Sequence, residues 1–166
     1  MPSWVVSEDV TSNVFVRRAT AADLPRVVEL LQQLSIDGGQ REDAGPPLPQ
    51  RYFHMLAVIE ADPNNDLLVA VLHGEVVGTF QLTVIPSMRR GGIYSAEIEA
   101  VVVDERVRGQ RIGEAMMRWA IGEARRRGCD NVHLTSNKAR TDAHRFYERL
   151  GFRKTHEGLR LSLHDA

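Results

Sequence analysis

Two stretches of this chain carry residue types and spacings that could do chemistry, and they adjoin. One is a basic turn, Arg106-Val-Arg-Gly-Gln-Arg-Ile-Gly113. Gly109 and Gly113 allow a ligand close to the backbone. A helix beginning near Gln110 would point unsatisfied N–H groups and the positive end of its dipole at an anion. Arg106, Arg108 and Arg111 add charge at the same mouth. Read alone, the turn is equally a solvated basic turn with a glycine for sharpness. It is not a Walker loop, since no Gly-Lys-Ser/Thr follows, and it lacks the glycine spacing of a dinucleotide fingerprint. The other stretch is the carboxylate pair Glu97 and Glu99, set in the largely apolar run EIEAVVV just before the turn. Period-two geometry puts both on one strand face. A carboxylate in a buried strand is costly without a purpose, so each is either an edge charge or a group that handles a cation or a proton.

The elements that must hold these groups follow from periodicity. Val14–Arg18 alternates as a strand. Thr20 caps a helix with Asp23 three residues on, Pro25 in its first turn and Val27, Val28, Leu30, Leu31 and Leu34 as its apolar stripe. Ser35–Gln50, with three glycines and three prolines, reads as a long surface loop of the lid or binding kind. A second helix spans Gln50–Ala61. Leu67–Leu72 and Val76–Ile85 form a hairpin about His73-Gly-Glu75, and the loop Pro86–Gly92 leads to a strand at Ala96–Val103. Ile112–Arg127 repeats as a helix ended by Gly128. Val132–Thr135 is a short strand, parallel to Ala96–Val103 across that helix. Ala139–Leu150 is a last helix, and Arg153–Leu163 is predicted as closing strand. The order β-α-α-β-β-β-α-β-α-β predicts an α/β fold with a central mixed sheet flanked by helices on both faces. In such sheets ligands sit beyond strand C-terminal ends where neighbours diverge, here Val103 to Gly113. Residues 1–166 read as one domain, with Met1–Asn13 a loose lead-in.

Composition narrows the function classes. The 43% hydrophobic and 26% charged residues are ordinary for a globular protein, and a net charge of −1 gives no field favouring nucleic acid or membrane. Basic charge is nearly all arginine, Lys138 and Lys154 being the exceptions; arginine suits phosphate, although a genomic coding bias gives the same excess. A single cysteine, Cys129, excludes an internal disulfide and fits a reducing, cytoplasmic setting. No run approaches a membrane span or a signal pattern. The six histidines show no metal-ligand spacing. Cys129 reads as a core thiol and His144 as helix surface, while Arg89, Arg90, Glu42 and Asp43 are loop charges by default.

Two segments together, Ile98–Cys129 and His133–Phe152, resemble the GNAT superfamily of acetyl-CoA-dependent N-acetyltransferases. The family's phosphate pattern Gln/Arg-x-x-Gly-x-Gly/Ala is matched by Arg108-Gly-Gln-Arg-Ile-Gly113, with Arg111 where glycine is usual. The second match is the NxxRxxAxxFYxxxGF run, Asn137–Phe152. The resemblance implies that Arg108, Gly109, Gln110, Arg111, Ile112, Gly113 and Glu114 hold the CoA pyrophosphate, chiefly through backbone N–H groups. It implies that Val101, Val102 and Val103 carry the pantetheine arm as an added strand would, with the Val101 N–H polarising the thioester carbonyl. Asn137, Arg140, Ala143 and Phe146 would complete the cofactor site. Glu99 corresponds to the family's strand glutamate and is taken as general base through a water; Glu97 is taken as a substrate-binding carboxylate. Tyr147 corresponds to the general acid, or equally is a core residue with a satisfied hydroxyl.

The expected reaction is direct acetyl transfer from acetyl-CoA to a primary amine of a small molecule, with no metal. A homodimer is compatible with the family and is not readable from the chain. Two other classes remain open: a CoA-binding regulatory or interaction module without transferase activity, and a protein or peptide acetyltransferase. The Ser-Asn-Lys and His-Arg-Phe-Tyr segments are similar to aminoalkylphosphonate acetyltransferases within the family, in wording too widespread to choose a substrate.

Overall fold

The computed structural model describes residues 13–34 and 42–163. Its elements are β1 (Val14–Arg18), α1 (Leu24–Gln32), α2 (Gln50–Ala61), β2 (Asn65–Leu72), β3 (Glu75–Ser87), β4 (Ile93–Val103), α3 (Ile112–Arg126), β5 (Cys129–Leu134) and α4 (Thr141–Arg149), with short 3₁₀ turns before α1, β4 and α3. The sheet runs β1-β2-β3-β4-β5, antiparallel through β4 and parallel between β4 and β5. The predicted mixed sheet and crossover are present. The predicted closing strand is not: Arg153–Leu163 has no strand pairing, and Leu159, Leu161 and Leu163 are exposed. Its alternation satisfies the local requirement for a strand, but pairing is a tertiary event that alternation alone does not supply. The lead-in through Ser12 and residues 35–41 of the long loop lie outside the described residues.

Alternation along β2 sorts the core into two layers. Leu68 and Ala70 join Phe80, Leu82, Ile98, Met116, Met117 and Ala120 under α3, whereas Val69 and Val71 pack with Val27 of α1 on the other face. Gly78 lets α3 come down onto the sheet, since a Cβ there would meet the Met116 sulfur at 2.7 Å. Buried Asp66 anchors α3 at its far end by accepting from Arg127, and reaches β1 through Arg18. The Thr20–Asp23 cap forms as predicted. The Asp23 carboxylate accepts from the Thr20 N–H at 2.7 Å and, in a two-pronged bond, from Arg17 of β1.

The turn between β4 and α3 is fixed by one carboxylate. Asp104, 2% exposed, accepts from the Arg106 N–H at 3.0 Å, from the Arg106 guanidinium at 2.7 and 3.0 Å, and from Arg26 on α1. Its own N–H donates to Val77 at 2.8 Å. The side-chain bond from Arg106 is the main reason its carboxyl titrates well below the usual range. Past Asp104 the chain passes through Gly109 at φ 83° and Arg111 at φ 60°. Arginine therefore occupies the left-handed conformation that glycine adopts without penalty.

Replacing Arg111 with glycine should relieve about 1 kcal/mol of left-handed strain and raise the melting temperature by roughly 2–4 °C; a fall in calorimetric melting temperature would contradict this reading. A second expectation concerns acid. Bonds from Arg17 hold the Asp23 carboxyl at about 2, and Asp104 is depressed as well. An unfolded aspartate titrates near 3.9. The stability these groups contribute is therefore complete above about pH 4 and is lost as pH falls, for Asp23 through about pH 2. Asp104→Asn should cost about 2–3 kcal/mol at neutral pH, since it weakens several charged hydrogen bonds. Thermal melts from pH 7 to 2 should show a shallower acid decline in this variant than in the parent.

Candidate functional site

The site begins with a defect in β4. Between the pairs Thr79–Val102 and Gln81–Glu99, β4 has one more residue than β3, and Ala100 takes up the excess at φ 50°. This is a β-bulge, a device that bends a strand and ends pairing. Before it, Ala96 and Ile98 face the α3 core; after it, Val101 and Val103 do. On the other edge, β5 pairs with β4 only from Tyr94 to Ile98. Residues Glu99–Val103 therefore present a strand edge that β5 does not cover, open to an extended ligand.

The divergence opens a cavity of about 250 Å³ lined by Leu34, Ile98, Ala100, Val101, Leu134, Thr135, Ser136, Asn137, Arg140 and Tyr147. The Tyr147 ring is fixed between Phe146 and Phe152, with centroids at 5.2 and 5.9 Å. Burial pushes its hydroxyl pKa up, against a smaller opposing pull from Arg140. A phenol is protonated at neutral pH and burial moves it further that way, so the hydroxyl is available as a hydrogen-bond donor. Asn137 turns its side-chain oxygen back onto the Ala139 N–H at 2.9 Å, shaping the start of the α4 segment. Ser136 Oγ is buried without a hydrogen-bond partner.

Arg108–Gly113 lies outside this cavity, in the turn that follows β4. Arg108 donates to the Val103 carbonyl at 3.2 Å and to Gln33 of α1 at 3.3 Å. Arg111 and Arg118 both bond Glu114. The Arg111 side chain does not cap α3, and the leading N–H groups of a helix have no partner within it. A Cβ on Gly109 would meet nothing within 4 Å, and one on Gly113 would make only ordinary contacts with Phe146 and Val103 at 3.5 Å. Packing does not demand glycine at Gly113, and the missing side chain lets a ligand come close to the backbone N–H groups of the turn. A volume of about 250 Å³ lies below the range that encloses a drug-sized ligand, so it could seat only part of a larger molecule.

The structure brings Val101, Asn137, Arg140 and Tyr147 into one cavity. Val103 and Phe146 border Gly113 at the junction of cavity and turn. Glu97 and Glu99 do not line the cavity. They lie on the strand just before the bulge, Glu97 half-buried between Thr83 and His133, Glu99 exposed opposite Gln81. Val102 is buried in the sheet and Ala143 is half-buried on α4. Of the weaker candidates, Glu42 accepts from the Tyr52 hydroxyl at 2.6 Å, Arg89 and Arg90 are exposed, and Cys129 is half-buried with its thiol pKa raised by burial. Sequence reasoning did not single out Leu34, Ala100, Thr135 or Ser136 as site residues. The one available signal was the break at Ala100, where the alternation of Glu97-Ile98-Glu99 gives way to an unbroken apolar run. Among the described residues no three His, Cys, Asp or Glu side chains gather as a metal site, and no helix is long and apolar enough to cross a membrane.

The sequence model of the Acetyltransferase (GNAT) family matches residues 28–152. The aminoalkylphosphonate N-acetyltransferase of Salmonella typhimurium is 39% identical over 149 residues, covering 90% of this chain and 91% of that protein. The glucosamine 6-phosphate N-acetyltransferase of Trypanosoma brucei brucei is 38% identical over 90 residues, covering 54% of this chain and 59% of that protein. A crystal structure described as a transcriptional regulator from Bacillus halodurans superposes with a TM-score of 0.85 at 41% identity, covering 90% of this chain and 99% of that one. With the family match running from α1 through the anion turn to the end of the Asn137–Phe152 segment, the chain belongs to the GNAT family of acetyltransferases, enzymes that use acetyl-CoA.

Proposed function

We propose that the protein transfers the acetyl group of acetyl-CoA directly to the primary amine of a small molecule that also carries an acidic group, of the aminoalkylphosphonate kind. The observation that carries this reading is the cavity facing the uncovered edge of β4, with Tyr147 in its wall. Bound acetyl-CoA supplies an activated acyl carbon and a thiolate leaving group. The chain supplies the positions. The α3 N-terminus and Gly109–Gly113 receive the phosphates, Val101 and Val103 lie along the arm, and the Val101 N–H is the donor for the carbonyl oxygen as negative charge develops on it.

An alkylamine is protonated at neutral pH, its pKa being about 10, so a base must remove a proton before it attacks. Glu99 takes that role through a water, standing at the strand position just ahead of the bulge. Glu97, next on the same face, attracts the ammonium. Tyr147 donates to the departing sulfur and is restored from solvent. Arg140, a cationic residue in the cavity wall beside Tyr147, favours an acceptor whose far end is anionic. This agrees with the acceptors named for the Salmonella and trypanosomal relatives.

The second reading, a CoA-binding regulatory module without transfer, has the description of the Bacillus halodurans structure on its side. An acetylation panel read by free CoA release separates the two. Short aminoalkylphosphonates should exceed neutral alkylamines and a lysine peptide by about tenfold or more in kcat/KM, the equivalent of one charged hydrogen bond. CoA binding with no turnover on any amine would establish the regulatory module instead. Tyr147→Phe keeps the ring contacts and should lower kcat about 100-fold while leaving the Kd for acetyl-CoA within about twofold. Unchanged turnover in that variant would remove Tyr147 as the acid.

A further inference from the structure

The chain that leads into Arg108–Gly113 begins as a short 3₁₀ turn, Glu105–Val107. The Arg106 N–H goes to the Asp104 carboxylate at 3.0 Å, and the Val107 N–H to the Asp104 carbonyl at 3.1 Å. The Glu105 N–H leaves the turn altogether. It donates at 3.1 Å to the side-chain oxygen of Gln33, the residue that ends α1. The same oxygen accepts from the Arg108 guanidinium at 3.3 Å, and Arg108 Nε donates to the Val103 carbonyl at 3.2 Å. Both partners of Gln33 are donors, so the carboxamide must present its oxygen here. Asp104 bonds Val77 of β3 through its N–H, and by the alternation of an antiparallel ladder Val103 turns its own carbonyl to the uncovered side. Arg108 is thus held between Gln33 and Val103, just ahead of the left-handed residues Gly109 and Arg111. Asp104 fixes the start of the turn, and Gln33 ties it again at Glu105 and Arg108. Those two residues are exposed, so water could satisfy both donors if the Gln33 oxygen were lost. The bonds therefore add little to stability. What they fix is position.

We propose that Gln33 is a positioning residue for the diphosphate end of acetyl-CoA. It acts without touching the ligand, by holding the Glu105 N–H and Arg108 so that the chain runs into Gly109–Gly113 in one conformation. Gly109 is free to take other backbone angles, and a cradle of backbone N–H groups binds better when it is set before the ligand arrives. The device comes from α1, outside the two segments Ile98–Cys129 and His133–Phe152 that carry the family resemblance. The inference rests on the phosphates of acetyl-CoA lying at this turn, the reading given under Proposed function.

The test is Gln33→Met, which keeps the length of the side chain and removes the accepting oxygen. It is read by the calorimetric Kd for CoA, by kcat/KM with acetyl-pantetheine, which carries the thioester and the arm without the diphosphate, and by the melting temperature of the ligand-free protein. The Kd for CoA should rise about threefold to tenfold. The kcat/KM with acetyl-pantetheine should stay within about twofold, and the melting temperature within about 2 °C. Arg108→Met is measured alongside, and the double variant should lose less affinity than the product of the two single losses, because the two side chains form one tether. An unchanged Kd overturns the proposal. So does an equal loss with acetyl-pantetheine, which would place the effect at the cavity wall beside Leu34, or a loss of affinity matched by a melting temperature lower by several degrees, the mark of a structural role. Single losses that simply multiply also overturn it, since Gln33 would then not act through Arg108. Failure of the unaltered protein to bind CoA at all is a separate result, since it removes the functional reading on which this one stands.

Discussion

β4 cannot stay paired on both edges beyond Ile98, and the site depends on that constraint. The extra residue at Ala100 is inserted in a strand held antiparallel by β3 on one side, so the distortion appears on the other, where β5 departs. A non-glycine residue at φ 50° costs on the order of 1–3 kcal/mol, and such strain persists only where the surroundings over-determine it. Here they do. Thr79 and Val102 are buried on one side of the defect and Ile98 on the other, and register slip on either side would turn core residues to solvent. The same defect exchanges the faces of β4. Glu97 and Glu99 point away from the α3 core before it, and Val101 and Val103 point toward that core after it.

The sequence carried most of this fold because most of it is local. The helices are recoverable from their stripes, the α1 start from Thr20 and Asp23, and the β4–α3–β5 crossover from an apolar run, a glycine turn and a second short run. The tail is the counterexample. Leu159, Leu161 and Leu163 alternate as a strand would, yet nothing in a period-two pattern states which edge accepts it, and none does among the described residues. The site was legible to a different depth. Arg108–Gly113 and Tyr147 stand out as motif residues, but the cavity is made by a one-residue bulge and by the last turn of α1, and neither leaves more than a faint mark. Arg111 shows why. By type it reads as an added cation at the mouth, whereas its backbone is a left-handed residue whose side chain bonds Glu114.

The turn and the cavity are joined through α1 as well as through β4. Arg26 reaches both Asp104 and the Val76 carbonyl. About two helical turns further on, Gln33, just past the end of α1, accepts from the Glu105 N–H at 3.1 Å and from Arg108 at 3.3 Å. The next residue, Leu34, is part of the cavity wall. One helix end therefore touches the Arg106–Gly113 turn with one side chain and the cavity with its neighbour. Each of these hydrogen bonds is worth only about 1 kcal/mol, but they act on a turn already fixed by buried Asp104. The proposed placement, phosphates outside and a reactive acyl group inside, requires the turn, β4 and α1 to keep a constant separation. The Asp104 carboxylate holds the turn to α1 and its N–H holds it to β3, the bulge sets where β4 becomes available, and α1 closes the third side. The ligand then meets a rigid frame, and binding energy need not be spent on assembling it.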